Sequence, residues 1–138
     1  MTELKLRAVE SSDIEVIASA IQDGIFQIGQ TRYDSAGRSL TLRMSRFRHE
    51  ANTPQRIECG LRFDGVMGVK SKGVETTKAD AFAVILGMVF VAEDGPAGHF
   101  ELNLAGGGMI WIDVEAIDLT LADRGKPRPT KHIPTHDG

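Results

Sequence analysis

Residues 56–74, RIECGLRFDGVMGVKSKGV, limit what this chain can fold into more than any other stretch. Ile57, Cys59, Leu61 and Phe63 fall on one phase, and Arg56, Glu58 and Arg62 on the other. A period of two belongs to a strand with one apolar face and one wet face. Asp64-Gly65 follows, a dipeptide that tolerates positive φ in a two-residue turn, and Val66, Met67 and Val69 resume the apolar run. The pattern predicts a β-hairpin reversing at Asp64-Gly65, with further antiparallel strands laid beside it.

Upstream, Leu4, Leu6 and Ala8 alternate with Lys5 and Arg7 and predict a short first strand. Ser12 as N-cap with Glu15 three residues on, then Ile14, Ile17, Ala18 and Ile21, predicts an amphipathic helix that Gly24 ends in a left-handed conformation. Residues 25–33 read as a less regular β segment and 34–38 as a turn. Leu40, Leu42 and Met44 then alternate with Thr41 and Arg43. Phe47 breaks that phase after Arg46, which predicts a bulge or a loop covering the sheet edge.

Downstream, residues 81–91 are apolar on both phases, with Phe82, Val84, Leu86, Met88 and Phe90 on one and Ile85, Val89 and Val91 on the other. Such a strand is expected at the centre of a sheet, covered by the helix on one side and by sheet or a partner subunit on the other. Phe100, Leu102 and Leu104 give another strand, Gly106-Gly107-Gly108 a reversal, and Ile110 and Ile112 a further strand. Val114, Ile117 and Leu121 fit a short final helix capped by Asp113, whereas Ile117, Leu119 and Leu121 fit a strand; the helix is the favoured reading. The folded domain is therefore expected over residues 1–123. A basic, proline-containing and flexible tail is expected over 124–138.

The expected fold is α+β: a mostly antiparallel curved sheet or partly open barrel of six to seven strands, with an N-terminal helix and a short C-terminal helix. Strands closing on a final helix also match a pleckstrin-homology-like arrangement by topological analogy. At 138 residues, 41% hydrophobic and 25% charged, the chain suits one domain that buries a core without cross-links. The lone Cys59 forms no disulfide within the chain and fits a reducing compartment. The N-terminus has no basic region followed by an apolar run, and the most apolar stretch, 84–92, is far too short for a membrane span. A cytoplasmic setting without membrane contact is expected.

Charge is segregated along the chain. Arg43, Arg46, Arg48, Arg56, Arg62, Lys70, Lys72 and Lys78 outnumber the acids between them, whereas residues 79–123 carry carboxylates and no Lys or Arg. Neighbouring strands that balance locally account for this, and so does a fold with separate acidic and basic faces that pairs with itself or steers a charged partner. A nucleic-acid surface is disfavoured by the net charge of −3 and by scarce aromatic residues. It would need Arg43, Arg46, Arg48, Arg56, Lys70 and Lys72 in one patch.

No catalytic, cofactor or metal motif emerges. Cys59 shares the inward phase and reads as a buried small hydrophobe rather than a nucleophile. His49 and Glu50 are adjacent and point oppositely on a strand, so they make a poor acid–base pair. His99 precedes an apolar strand in a Gly-rich loop and reads as ordinary. His132, His136 and Asp137 lack the surrounding organisation of a metal site. Gly106, Gly107 and Gly108 can cradle an anion with their amides, but lack the Lys-Ser/Thr of a phosphate loop; a permissive turn is the plainer reading. Trp111 suits packing, and Asp113 and Glu115 show no recognised metal or glycosidase spacing. Arg43, Arg62, Lys70 and Gly106–Gly108 remain as contacts for an anion or a partner.

Leu4-Lys5-Leu6, Ile21-Gln22-Asp23, Arg46-Phe47, Gly60–Asp64, Val69-Lys70-Ser71, Ala105–Gly108 with Ile110, Val114-Glu115 with Ile117, and Leu121-Ala122-Asp123 together resemble a small alphaproteobacterial family known only as domain of unknown function 2948. The resemblance implies a cytoplasmic bacterial domain and brings no substrate, cofactor or catalytic residue. The expected function is a non-enzymatic binding or assembly module, a homodimer that buries part of one sheet face and meets a protein or small anionic ligand. The alternative is a small-ligand protein or enzyme in which Arg43, Arg62 or Lys70 joins His49, His99 or the Gly106–Gly108 backbone in one pocket.

Overall fold

In the computed structural model, which describes residues 3–134, the alternation at residues 57–63 is realised as a strand, but the chain beyond it does not fold back. In chain order the elements are β1 (Lys5–Ala8), α1 (Ser11–Ile21), β2 (Ile25–Gln27), a 3-10 turn (Ile28–Gln30), β3 (Arg32–Asp34) and β4 (Ser39–Phe47). They continue with β5 (Gln55–Asp64), β6 (Val66–Lys72), β7 (Phe82–Ala92), β8 (Gly98–Leu104), β9 (Met109–Val114) and β10 (Leu119–Pro129). The strands form an antiparallel sheet in the order β1-β10-β5-β4-β2-β7-β8-β9-β6, with β3 against β4. Ten strands stand among the described residues where six to seven are expected, and β1 and β6 leave the sheet open.

The hairpin predicted at Asp64-Gly65 is a corner instead. β5 is already flanked by β4 and β10, so no edge remains for β6, which pairs with β9. Gly65, at φ 66°, turns the chain from one part of the sheet to the other. The corner is held by bonds to other segments: Asp64 N–H to Asp118 O at 2.9 Å, Val66 N–H to Arg38 O at 2.9 Å and Glu115 N–H to Gly65 O at 3.0 Å.

The sheet curls into two leaves that share an interior. The first comprises β1, β10, β5 and β4; the second comprises β7, β8, β9 and β6; β2 pairs with both β4 and β7 and joins them. Phe63 of the first leaf meets Phe100 of the second edge to face at 5.1 Å, and Phe90 lies 5.0 Å from Phe100. Leu42, Leu61, Leu102, Ile112 and Leu121 fill the space around them and are fully buried. Helix α1 lays Ile14, Ile17 and Ile21 into the same core.

Around α1 the local signals shift by a residue or two. The helix begins at Ser11, and Asp13 rather than Glu15 closes its first turn by accepting the Glu10 N–H at 3.2 Å. The left-handed residue at its exit is Asp23, at φ 70°, not Gly24. Gly24 is small for a different reason: a Cβ there would sit 2.9 Å from both Ile21 O and Met44 Sδ.

The helix predicted over 114–121 is instead the last residue of β9, a connection and the start of β10, and with it goes the ground for a pleckstrin-homology-like arrangement. Leu119, Leu121 and Asp123 point inward at a period of two between β1 and β5. The strand runs past Asp123 to Pro129, with an irregularity between Arg124 and Arg128. Two phase breaks also find their causes. In β4 the pairing with β5 runs unbroken from Ser39 to Phe47, and Arg46 is simply an inward residue carrying a charge. In β7, central and packed on α1 as expected, a bulge between Ile85 and Gly87 shifts the phase so that both Ile85 and Met88 are buried. Its other side is uncovered: Phe82, Leu86, Val89 and Val91 are 69%, 49%, 48% and 40% exposed.

Candidate functional site

Strand register makes the outer face of the first leaf basic. Directly opposed residues on antiparallel strands share a face, so Arg7, Thr120, Arg62, Thr41 and Arg32 form one row across β1, β10, β5, β4 and β3. Lys5, Ala122, Gly60 and Arg43 form the next. At about 4.8 Å per strand, Lys5 and Arg43 stand roughly 14 Å apart across a low floor of Ala122 and Gly60. A Cβ on Gly60 would meet nothing within 4 Å, so that floor is open. Arg7 pairs with Asp118 at 3.4 Å and Arg62 with Asp64 at 3.0 Å. Among the described residues, Lys5, Arg32, Arg43 and Arg124 have no carboxylate within 4.0 Å.

The outer face of the second leaf is different. His99 is 4% exposed, yet it lies on the solvent side of β8, shielded by its neighbours rather than set in the core. The Trp111 ring stacks on it with centroids 3.5 Å apart and planes 10° from parallel. His99 Nδ1 is 3.0 Å from Glu93 Oε2 and Nε2 is 2.9 Å from Glu101 Oε2. Burial opposes charge on this ring, and hydrogen bonds to Glu101 and Glu93 outweigh it, so the imidazole titrates above its ordinary value. Asp113, the cross-strand partner of His99, accepts the Trp111 Nε1–H at 2.9 Å. Beside this cluster, Lys70, Lys72, Met109 and Trp111 line a shallow groove of about 460 Å³.

On the inner face of the first leaf lies a buried ion network. Arg46 is fully buried, with Nε and Nη2 donating to Asp123 Oδ1 and Oδ2 at 2.7 Å each. Its Nη1 and Nη2 donate to Glu50 at 3.1 and 2.8 Å. Burial alone would weaken the proton's hold, but the bonds to Asp123 and Glu50 more than offset it and raise the guanidinium above its ordinary value. The Arg46 hydrogen bonds hold Glu50 down at about 2. Asp123 Oδ2 also accepts the Leu4 N–H at 2.9 Å, which ties the start of the chain to its last strand. Cys59 faces the core, and burial pushes its thiol up to about 12.

The residues singled out from sequence do not converge. Arg62 and Arg43 share the first leaf's outer face, whereas Lys70 sits on the second leaf opposite Trp111. Gly106, Gly107 and Gly108 form the β8–β9 turn, with φ of 88° at Gly106 and 94° at Gly107. The Gly107 N–H is taken by Leu104 O at 3.2 Å. His49 turns away from Glu50 to Gln22 O, 2.9 Å from its Nε2. His132 is exposed, and its companions His136 and Asp137 lie outside the described residues.

Two arrangements escape sequence reading although signals for both exist. Arg46 follows Met44 by two positions and Asp123 follows Leu121 by two, so each sits in an inward phase. Counting the β8–β9 hairpin back from its glycine turn would set His99 opposite Asp113.

An open, curled antiparallel sheet with one helix among the described residues, basic outside one leaf and bearing a histidine–carboxylate cluster outside the other, is the class of protein these features define. The chain belongs to the family described as Protein of unknown function (DUF2948), which matches residues 4–136. No match is found among curated proteins or among solved structures. No helix among the described residues is long and apolar enough to cross a membrane.

Proposed function

We propose that this protein is a non-enzymatic binding module that docks an acidic protein surface on the outer face of its first leaf. The observation that supports this is the pair of cross-strand rows in which cations rim an open floor of Gly60 and Ala122. Small-molecule sites are concave and largely apolar, whereas this face is shallow and charged, which favours a protein partner over a small anion. The rows contain no aromatic side chain on which a base would stack, so a nucleic acid is disfavoured as well. Arg43 and Arg62 lie outside the first leaf, whereas Lys70 and the Gly106–Gly108 turn belong to the second, which weakens the reading as an enzyme with one anion pocket. The single buried thiol of Cys59 suits the bacterial cytoplasm, where we place the protein.

The test uses fluorescein-labelled poly-L-glutamate and a DNA oligonucleotide of equal charge, titrated with protein at increasing salt. Saturable, salt-weakened binding of the polypeptide is expected, with at least a tenfold loss in R43E/K5E. Gly60→Glu should act likewise, because its side chain enters open space and adds a negative charge to the floor. No binding of the polypeptide, or preference for the oligonucleotide, would overturn the proposal.

A second reading, homodimerisation, draws on the apolar strip Phe82, Leu86, Val89 and Val91 of β7. A sheet face this apolar is covered in a stable soluble assembly. Sedimentation should show a dimer that Val89→Asp dissociates; a monomer at every workable concentration removes this reading.

A further inference from the structure

We propose that Glu93, His99 and Asp113 form a binding site for a divalent first-row transition metal, with zinc the best fit, on the outer face of the second leaf. One donor atom from each lies within 4.8 Å of the others. Strand pairing builds the site: His99 and Asp113 are direct partners on β8 and β9. Glu93 enters from the turn after β7, which closes through its own N–H to Ala97 O at 2.9 Å. That turn is pinned at its far end, where a Cβ on Gly98 would stand 2.4 Å from Phe90 Cζ and 2.5 Å from Val91 O.

Two of the three ligands are already aimed by hydrogen bonds that leave a donor atom available. Of the two tautomers of neutral His99, the one that donates Nε2–H to Glu101 Oε2, 2.9 Å away, presents its Nδ1 lone pair to Glu93 and can take a metal once the second proton has left. The Trp111 Nε1–H fixes Asp113 through Oδ1. A carboxylate behind a histidine is the usual support of a metal-bound imidazole. In that tautomer Nδ1 and Glu93 Oε2, 3.0 Å apart, oppose lone pair to lone pair, and a cation between them relieves the contact. A proton would satisfy Glu93 alone, while a metal ion also reaches Asp113. Glu93, Glu101 and Asp113 set three carboxylates around one imidazole, and among the described residues no Lys or Arg lies within 4.0 Å of any of them.

The ligand chemistry narrows the ion. Calcium and magnesium take oxygen ligands, whereas one imidazole nitrogen with two carboxylates suits zinc and its first-row neighbours. Tetrahedral zinc, with bonds of about 2.0–2.1 Å, sets neighbouring donors about 3.3 Å apart and leaves a fourth position open here. Donors up to 4.8 Å apart must close by about 1.5 Å. His99 Nδ1 and Glu93 Oε2, at 3.0 Å, already stand near that spacing, so the closure falls on their distances to Asp113.

The experiment is a zinc titration of metal-stripped full-length protein by calorimetry, with emission of the sole tryptophan, Trp111, followed in parallel. It is run in an H132Q/H136Q background so that the tail histidines supply no ligand. One zinc per chain is expected at micromolar affinity or tighter, with Trp111 emission changing on the same curve and calcium giving no response. E93Q and D113N should each weaken zinc at least tenfold, and E101Q, which removes the support behind His99, about 10–100-fold. Absence of saturable zinc binding would overturn the site. So would binding left unchanged by both E93Q and D113N in proteins whose circular dichroism matches the parent.

Discussion

Arg46 occupies an inward position of β4 with no exposure to solvent, and its guanidinium is shared between Asp123 and Glu50. Removing one partner of such a pair leaves an uncompensated buried charge, which costs about 3–5 kcal/mol, whereas replacing both by apolar groups of similar volume is often neutral. Arg46→Met should therefore lower the urea-unfolding free energy by that amount, and R46M/D123L should recover most of the loss. If the double variant is as unstable as the single, the pair matters for more than charge balance. Glu50 supplies the pH dependence. Its folded value of about 2 lies below the ordinary 4.5, so its contribution is complete above pH 4.5 and fades as pH falls towards 2. Because its side chain is 44% exposed, solvent screening holds this to under about 1 kcal/mol. Glu50→Gln should flatten the acid limb of a stability–pH curve and leave its neutral region with a small uniform loss.

At the scale of elements, β10 shows where periodicity is ambiguous and what resolves it. Ile117 and Leu121 are spaced for a helix, but Leu119, Leu121 and Asp123 are needed inward at the same time, and only a strand between β1 and β5 provides that. Leu119 is fully buried whereas Ile117 is only partly so, packing from the preceding connection. Leu119→Ala should cost about 2–5 kcal/mol, the range for buried leucines, and Ile117→Ala distinctly less. A larger loss at Ile117 than at Leu119 would instead support the helical face, which carries Val114, Ile117 and Leu121. The helix α1 and strands β1, β4, β5, β8 and β9 were legible because each has one wet face that prints its alternation or 3.6-residue recurrence onto the sequence. β7 was legible as central, but which of its side chains turn inward was not, since a bulge at residues 85–87 is a property of its pairing with β8 and not of its own side chains.

For the whole molecule, stability depends on the contact between leaves, since each sheet face must bury its apolar side against something. Phe63 and Phe100 carry that contact at 5.1 Å. Each truncation to Ala should cost about 3–5 kcal/mol. A double-mutant cycle should show a coupling of about 0.5–3 kcal/mol, as expected of residues in direct contact. Additive losses would mean that the rings pack independently. The same curl turns a charge pattern along the chain into faces. Apart from the buried Arg46, the cations of β1, β3, β4, β5 and β10 gather outside one leaf, while Glu101 and Asp113 of β8 and β9, with Glu93 from the turn after β7, gather outside the other.

The amino-acid order by itself determined that this chain is a β-rich domain with an early amphipathic helix, which side chains face inward on most strands, and that basic and acidic segments are separate. Those properties follow from local spacing, where each residue's neighbours two, three or four positions away decide its exposure. The tertiary structure decided that Asp64-Gly65 turns a corner, that Arg46 is buried against Asp123, and that His99 stands among Glu93, Glu101 and Asp113. These depend on which strands become neighbours, and a pairing between segments far apart in the chain leaves no periodic trace in either segment alone.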